Sequence, residues 1–107
     1  MAETFISVAR VEDLPPGSMA RAEHAGHFYL LANVDGTVYA IDDECSHEDA
    51  SLYKGSLRGD CVACPLHGSR FKLSTGEPLE DPAYLPVNTY PVRIEDGAIL
   101  IGIGTAE

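Results

Sequence analysis

The chain has 107 residues, enough for one domain with a modest core. Its 17 Asp and Glu against 7 Lys and Arg give a formal net charge of −10, which argues against nucleic acid and anionic membrane as partners. No apolar run approaches the ~20 residues of a membrane span. The opening Met1-Ala2-Glu3-Thr4-Phe5 lacks a signal-peptide pattern, and three cysteines do not make a secreted disulfide framework. These features predict a monomer in the reducing cytoplasm.

Short β-rich runs separated by turn residues dominate the chain, with no repeat or linker. Residues 4–9 read as a first strand, stopped by Leu14-Pro15-Pro16-Gly17. Residues 18–24 read as a second, with Met19 and Ala22 too irregular to set its register. Ala25-Gly26 then makes a turn that leaves His24 and His27 exposed. Residues 27–33 and 37–41 form a hairpin about Asp35-Gly36, with Phe28, Tyr29 and Tyr39 expected in the core. Near the C-terminus, 87–94 and 98–103 pair about Asp96-Gly97. No segment has a sustained helical period.

The middle, from about residue 42 to 86, is rich in Gly, Pro, Ser, Cys, His and acids. Its strand-like pieces are short, 60–64 and 70–73. Loops held on a rigid scaffold commonly carry function. The expectation is a single all-β domain over 1–107. An antiparallel sandwich or barrel base (about 1–41 and 87–107) would carry a small inserted subdomain (about 42–86).

Two short motifs stand in that middle. Cys45-Ser46-His47 opens it, and Cys64-Pro65-Leu66-His67 follows after sixteen intervening residues. Each half offers one thiolate and one imidazole, ligand types suited to iron–sulfur and zinc sites. Two cysteines on one iron and two histidines on the other is the Rieske arrangement of a 2Fe–2S cluster. A structural Cys2His2 zinc module is the alternative, although zinc loops more often space paired ligands by two or more residues. Cys61 with Cys64 also reads as C-x-x-C. That thiol-redox motif needs a helix N-terminus, and none is indicated. If the strand here is extended, the two cysteines face opposite ways and Cys61 is a small buried apolar residue.

The chain resembles the Rieske ferredoxin family. The matching residues are Cys45-Ser46-His47 and Cys64-Pro65-Leu66-His67-Gly68-Ser69-Arg70-Phe71. Ser74-Thr75-Gly76-Glu77-Pro78 and Pro82-Ala83-Tyr84-Leu85-Pro86 resemble the flanking loops. The resemblance implies a Rieske-like fold whose inserted subdomain binds one 2Fe–2S cluster. Cys45 and Cys64 would bind the buried iron, His47 and His67 the outer one. It also implies an electron-transfer component rather than an enzyme. Such a ferredoxin passes single electrons from a flavin-containing reductase to a terminal aromatic-ring oxygenase. A tightly bound Rieske subunit of another redox complex is the alternative.

The chain departs from the respiratory branch of that family. The extra disulfide-forming cysteine of each loop is absent, with Asp49 or Ala50 and Leu66 in those places. Phe71 stands where that branch has a tyrosine hydrogen-bonded to a ligand sulfur, while Ser69 remains as a possible donor. Fewer donors and nearby acids make reduction harder, so a potential toward the low end of the roughly −150 to +300 mV Rieske range is expected. The acids Asp42, Asp43, Glu44, Glu48 and Asp49 are also expected to ring the electron exit and guide docking, so that transfer slows as salt rises.

Overall fold

The structure, a computed structural model, describes residues 4–44, 51–65, 70–79 and 86–103. Ten strands follow in order: β1 Thr4–Arg10, β2 Met19–His24, β3 His27–Val34, β4 Thr37–Asp42, β5 Ser56–Arg58, β6 Cys61–Ala63, β7 Arg70–Lys72, β8 Thr89–Tyr90, β9 Val92–Glu95 and β10 Ala98–Ile103. All pairings between them are antiparallel. Single 3-10 turns at Val11–Asp13 and Leu52–Lys54 are the only helical pieces among the described residues. The fold is therefore all-β, as the sequence implies.

The strands make three sheets, ordered β1-β10-β9, β2-β3-β4-β8 and β5-β6-β7. The second lies between the other two. One of its faces contributes Tyr29, Leu31 and Ala40 to a core shared with Ile99 and Ile101 of β10. The other contributes Leu30, Ala32 and Ile41 to a core shared with Val62, Phe71, Leu52, Leu73, Cys64 and Val87. Burial on both faces explains why β3 reads as a continuous apolar run instead of an alternating one.

Local sequence accounts for the hairpins. Three of the two-residue turns have both residues at positive φ: Ala25 and Gly26 at 53° and 83°, Asp35 and Gly36 at 53° and 94°, Asp96 and Gly97 at 52° and 78°; in the turn between β5 and β6 only Gly59 is positive, at 60°. Positive φ at both positions is the geometry whose twist matches paired strands. β1 keeps its inward face through a bulge between Ser7 and Ala9, which lets Ile6, Val8 and Ala9 all pack on the same core.

The structure corrects two readings and adds one strand. The strand expected over 87–94 is two strands divided at Pro91. β8 pairs with β4 in the central sheet, and β9 pairs with β10 in an outer one. Proline has no N–H to continue a ladder, and the Pro91 carbonyl instead accepts from Gly102 N–H at 2.9 Å. Phe28 is 42% exposed rather than core: it stands at the start of β3, with the Arg21 guanidinium 4.8 Å from its ring centre. Strand β5 had no sequence signal of its own; its three residues become extended by pairing with β6.

Candidate metal centre

Cys64 is the one expected ligand among the described residues. It follows β6, is 3% exposed, and belongs to the core beneath the small sheet together with Val62 and Phe71. Cys45, His47 and His67 lie outside the described residues, as do Glu48, Asp49, Ser69 and Tyr84.

The segment 45–50 leaves and rejoins the frame at one neck. Glu44 and Ser51 form an isolated antiparallel bridge, and Leu52 N–H donates to the Asp43 carbonyl at 2.6 Å. The Asp43 carboxylate ties the same two ends. It accepts from Ser51 Oγ at 2.6 Å and from Tyr53 N–H at 2.9 Å. Arg21 approaches it at 3.7 Å.

The segment 64–69 connects β6 to β7 across the Ala63–Arg70 pair. Leu79 N–H donates to the Arg70 carbonyl at 2.8 Å, so the proline-rich segment leaves the frame beside the exit of the second loop. A close backbone approach joins the chain after residue 51 to β6. A Cβ on Gly55 would stand 1.8 Å from the Ala63 carbonyl oxygen, and Ser56 pairs with Ala63 directly. Only glycine permits that contact, which sets the chain after the first loop against the residue preceding Cys64.

Cys61 is buried on β6 and belongs to neither apolar core. Its thiol lies 3.4 Å from Asp60 Oδ1. Burial first, then that hydrogen bond and the Asp60 charge, push its pKa up. A raised pKa suits an inert packed thiol, not a redox nucleophile.

The family description of the Rieske [2Fe–2S] domain matches residues 4–91. The chain belongs to the Rieske [2Fe–2S] family. It is 44% identical over 98 residues to a 3-phenylpropionate/cinnamic acid dioxygenase ferredoxin subunit of Shigella flexneri, covering 91% of this chain and 92% of that protein. It is 36% identical over 104 residues to the biphenyl dioxygenase ferredoxin subunit of a Pseudomonas species, covering 96% and 95%. Among solved structures, it superposes with a TM-score of 0.89 and 30% identity on a chain from the complex of reduced oxygenase and oxidized ferredoxin in carbazole 1,9a-dioxygenase, covering 96% of both.

Of the five acids expected around the electron exit, Asp42, Asp43 and Glu44 are among the described residues and Glu48 and Asp49 lie outside them. Asp43 is 3% exposed and its carboxylate is turned to Ser51 and Tyr53 instead of to solvent. Asp42 closes β4 on the opposite side. Its Oδ1 accepts from Tyr90 Oη at 2.6 Å and meets His27 Nε2 at 2.8 Å, and its Oδ2 accepts from Asn88 N–H at 3.3 Å. Asp42 is the last residue of β4 and Asp43 the first beyond it, and their carboxylates go to different partners. Glu44 is exposed. The sequence signal for Asp43 was weak, since a partner ten residues on, such as Tyr53, leaves no local pattern.

Phe71 is fully buried and pairs with Val62 across β6 and β7, which accounts for an apolar ring there. His24 and His27 are exposed at the β2–β3 turn as expected. His27 also stacks near Tyr29, with 4.6 Å between ring centres. Tyr29 is buried, and Tyr39 is partly buried against the core of the small sheet.

Proposed function

We propose that this chain is a Rieske ferredoxin that carries single electrons to a terminal aromatic-ring oxygenase, taking them from a flavin-containing reductase. The observation that carries this reading is end-to-end similarity to dioxygenase ferredoxin subunits, at 44% identity over 91% of this chain and 92% of the relative. The likeness to a chain from an oxygenase–ferredoxin complex supports the partner. Catalysis of the oxygenation would reside on the partner, and this chain would not itself be an enzyme.

The cluster would be held by Cys45 and Cys64 on one iron and by His47 and His67 on the other. The donor set fits: two thiols and two imidazoles in two short motifs suit mixed ligation. Cys64 also fits by position, since its buried place in an apolar core keeps water from a thiolate ligand. Bound there, a 2Fe–2S cluster supplies reversible one-electron storage. The protein's part is to hold the two motifs together and to present the imidazoles to a docked partner.

The chain is read as one domain, with a base of about 1–41 and 87–107 and a cluster-binding part of about 42–86. The three-stranded sheet β5-β6-β7 falls within the latter range. No helix among the described residues is long and apolar enough to cross a membrane. A cytoplasmic monomer is the reading that the composition supports.

Anaerobic purification with iron, zinc and sulfide analysis, followed by EPR of the dithionite-reduced protein, tests the proposal. Equal iron and sulfide with a rhombic signal of low average g is the expected result. Zinc without sulfide would overturn it in favour of a structural module. A midpoint potential toward the low end of the roughly −150 to +300 mV Rieske range is also expected, because Phe71 offers no hydroxyl; a value well above zero would count against that argument.

A further inference from the structure

We propose that Asp43 is the positioning residue of the first ligand loop, and that it acts by clamping the two ends of that loop together. The inference rests on the reading of Cys45 and His47 as ligands. It assigns to Asp43 a task different from guiding a partner.

The geometry is that of a clamp. Segment 45–50 joins the frame through residues 43–44 on one side and 51–53 on the other. Each carboxylate oxygen of Asp43 crosses that gap, Oδ2 accepting from Ser51 Oγ at 2.6 Å and Oδ1 from Tyr53 N–H at 2.9 Å. Its own backbone is held at both polar atoms. Asp43 N–H donates to the Phe28 carbonyl of β3 at 3.2 Å, and its carbonyl accepts from Leu52 N–H at 2.6 Å. The side chain is therefore referenced to the central sheet while it holds the returning strand of the loop.

A carboxylate is costly to bury, and this one is 3% exposed. Two hydrogen bonds offset that cost, and so does the Arg21 guanidinium at 3.7 Å. Arg21 is fixed in turn by its place over the Phe28 ring and by Ser51 Oγ at 3.4 Å. A ligand two residues from the clamp inherits its position from it. Catalytic and metal constellations need such supporting contacts, because small displacements of ligands change the properties of the metal.

The clamp is tested by Asp43→Ala, Asp43→Asn and Ser51→Ala in the holoprotein. Asparagine keeps the shape: its Oδ1 can still accept from Tyr53 N–H, and its amide NH2 can donate to Ser51 Oγ once the serine hydroxyl turns its hydrogen away. Alanine removes both bonds. Cluster loss to a chelator is expected to be about tenfold faster in Asp43→Ala, with shifted and broadened EPR g-values. Asp43→Asn is expected to restore the wild-type spectrum, and Ser51→Ala to fall between.

The proposal is overturned if Asp43→Ala keeps the wild-type EPR spectrum and rate of cluster loss. Should Asp43→Ala fail to fold, Ser51→Ala decides by the same two readouts, an unchanged spectrum and rate overturning the clamp. A wild-type protein with the Rieske signal but insensitive variants removes only the clamp. A wild-type protein holding zinc without sulfide removes the cluster reading and the clamp with it.

Discussion

The two faces of the central sheet are built in different ways. Toward β10 the core is filled mainly by regular strand positions, Tyr29, Leu31 and Ala40 meeting Ile99 and Ile101, with Leu14 from the end of the first 3-10 turn. Toward the small sheet, much of the filling comes from outside long strands. Leu52 sits in a single 3-10 turn, Leu73 just past β7, and Val87 in irregular chain before β8. Both faces join segments distant in sequence, but the first does so mainly with residues placed by strand alternation, and the second largely with residues of turns and irregular chain. The second face is the one that contains Cys64. A site can thus rest on short strands when a glycine contact and a buried carboxylate hold what hydrogen-bond ladders do not.

The largest effect is expected from the side chain at the centre of the second face. Phe71→Ala should destabilise by about 4 kcal/mol, from lost burial and the cavity left behind. Iron should leave this variant at temperatures where far-UV circular dichroism is still native. Ile101→Ala, on the first face, should cost about 3 kcal/mol but lose iron only as the chain unfolds. Coincident iron loss and unfolding in both variants would erase the distinction between the faces.

Gly55→Ala sharpens the same point without touching the core. The added methyl group would collide with the Ala63 carbonyl, which is backbone and cannot swing aside. A cost of about 3 kcal/mol is expected, read as a lower urea midpoint and a lower iron content as isolated. A variant with wild-type iron content would show that the approach of these two segments is not needed.

A smaller effect belongs to the Asp42 side of the sheet. Burial, then the hydrogen bond and charge of Asp42, hold the Tyr90 phenol well above its ordinary pKa of 10.0. Tyr29 shifts in the same direction, through burial and then the Asp42 charge. A raised folded pKa means that the folded state keeps protons the unfolded state releases. Stability is then fully present below about pH 10 and is lost as pH rises further. Tyr90→Phe should cost about 1 kcal/mol at neutral pH and flatten the alkaline loss, measured as urea midpoints from pH 8 to 11. An equally steep alkaline loss in the variant would remove Tyr90 as its source.

The smallest expected effect is a gain. Ala25 stands at φ 53° at a turn position where the β3–β4 and β9–β10 hairpins use Asp and the β5–β6 hairpin uses Gly59. Ala25→Gly should stabilise by about 1 kcal/mol, because the left-handed conformation is strained for a residue with Cβ. Thermal unfolding reads this directly, and a lower melting temperature would contradict the turn geometry.

Much of this protein was legible before any coordinates. Asp35-Gly36 and Asp96-Gly97 announce their hairpins because positive φ at both turn positions is a local requirement, and the all-β class follows from such signals. The two Cys-x-His and Cys-x-x-His motifs announce the family, which the match over residues 4–91 bears out. What those motifs could not convey is the duty of their neighbours. Asp42 and Asp43 look like one acidic patch in the sequence, yet one bonds Tyr90 and the other Ser51 and Tyr53. Gly55 looks like any turn residue, and Phe28 like any core aromatic. The amino-acid sequence by itself determined the turns, the donor chemistry and the apolar runs, because each depends on residues near one another in the chain. Only the tertiary structure decided which acids are buried, where Pro91 hands the chain from one sheet to another, and which glycine must stay bare, because each depends on a partner that pairing and packing bring from elsewhere.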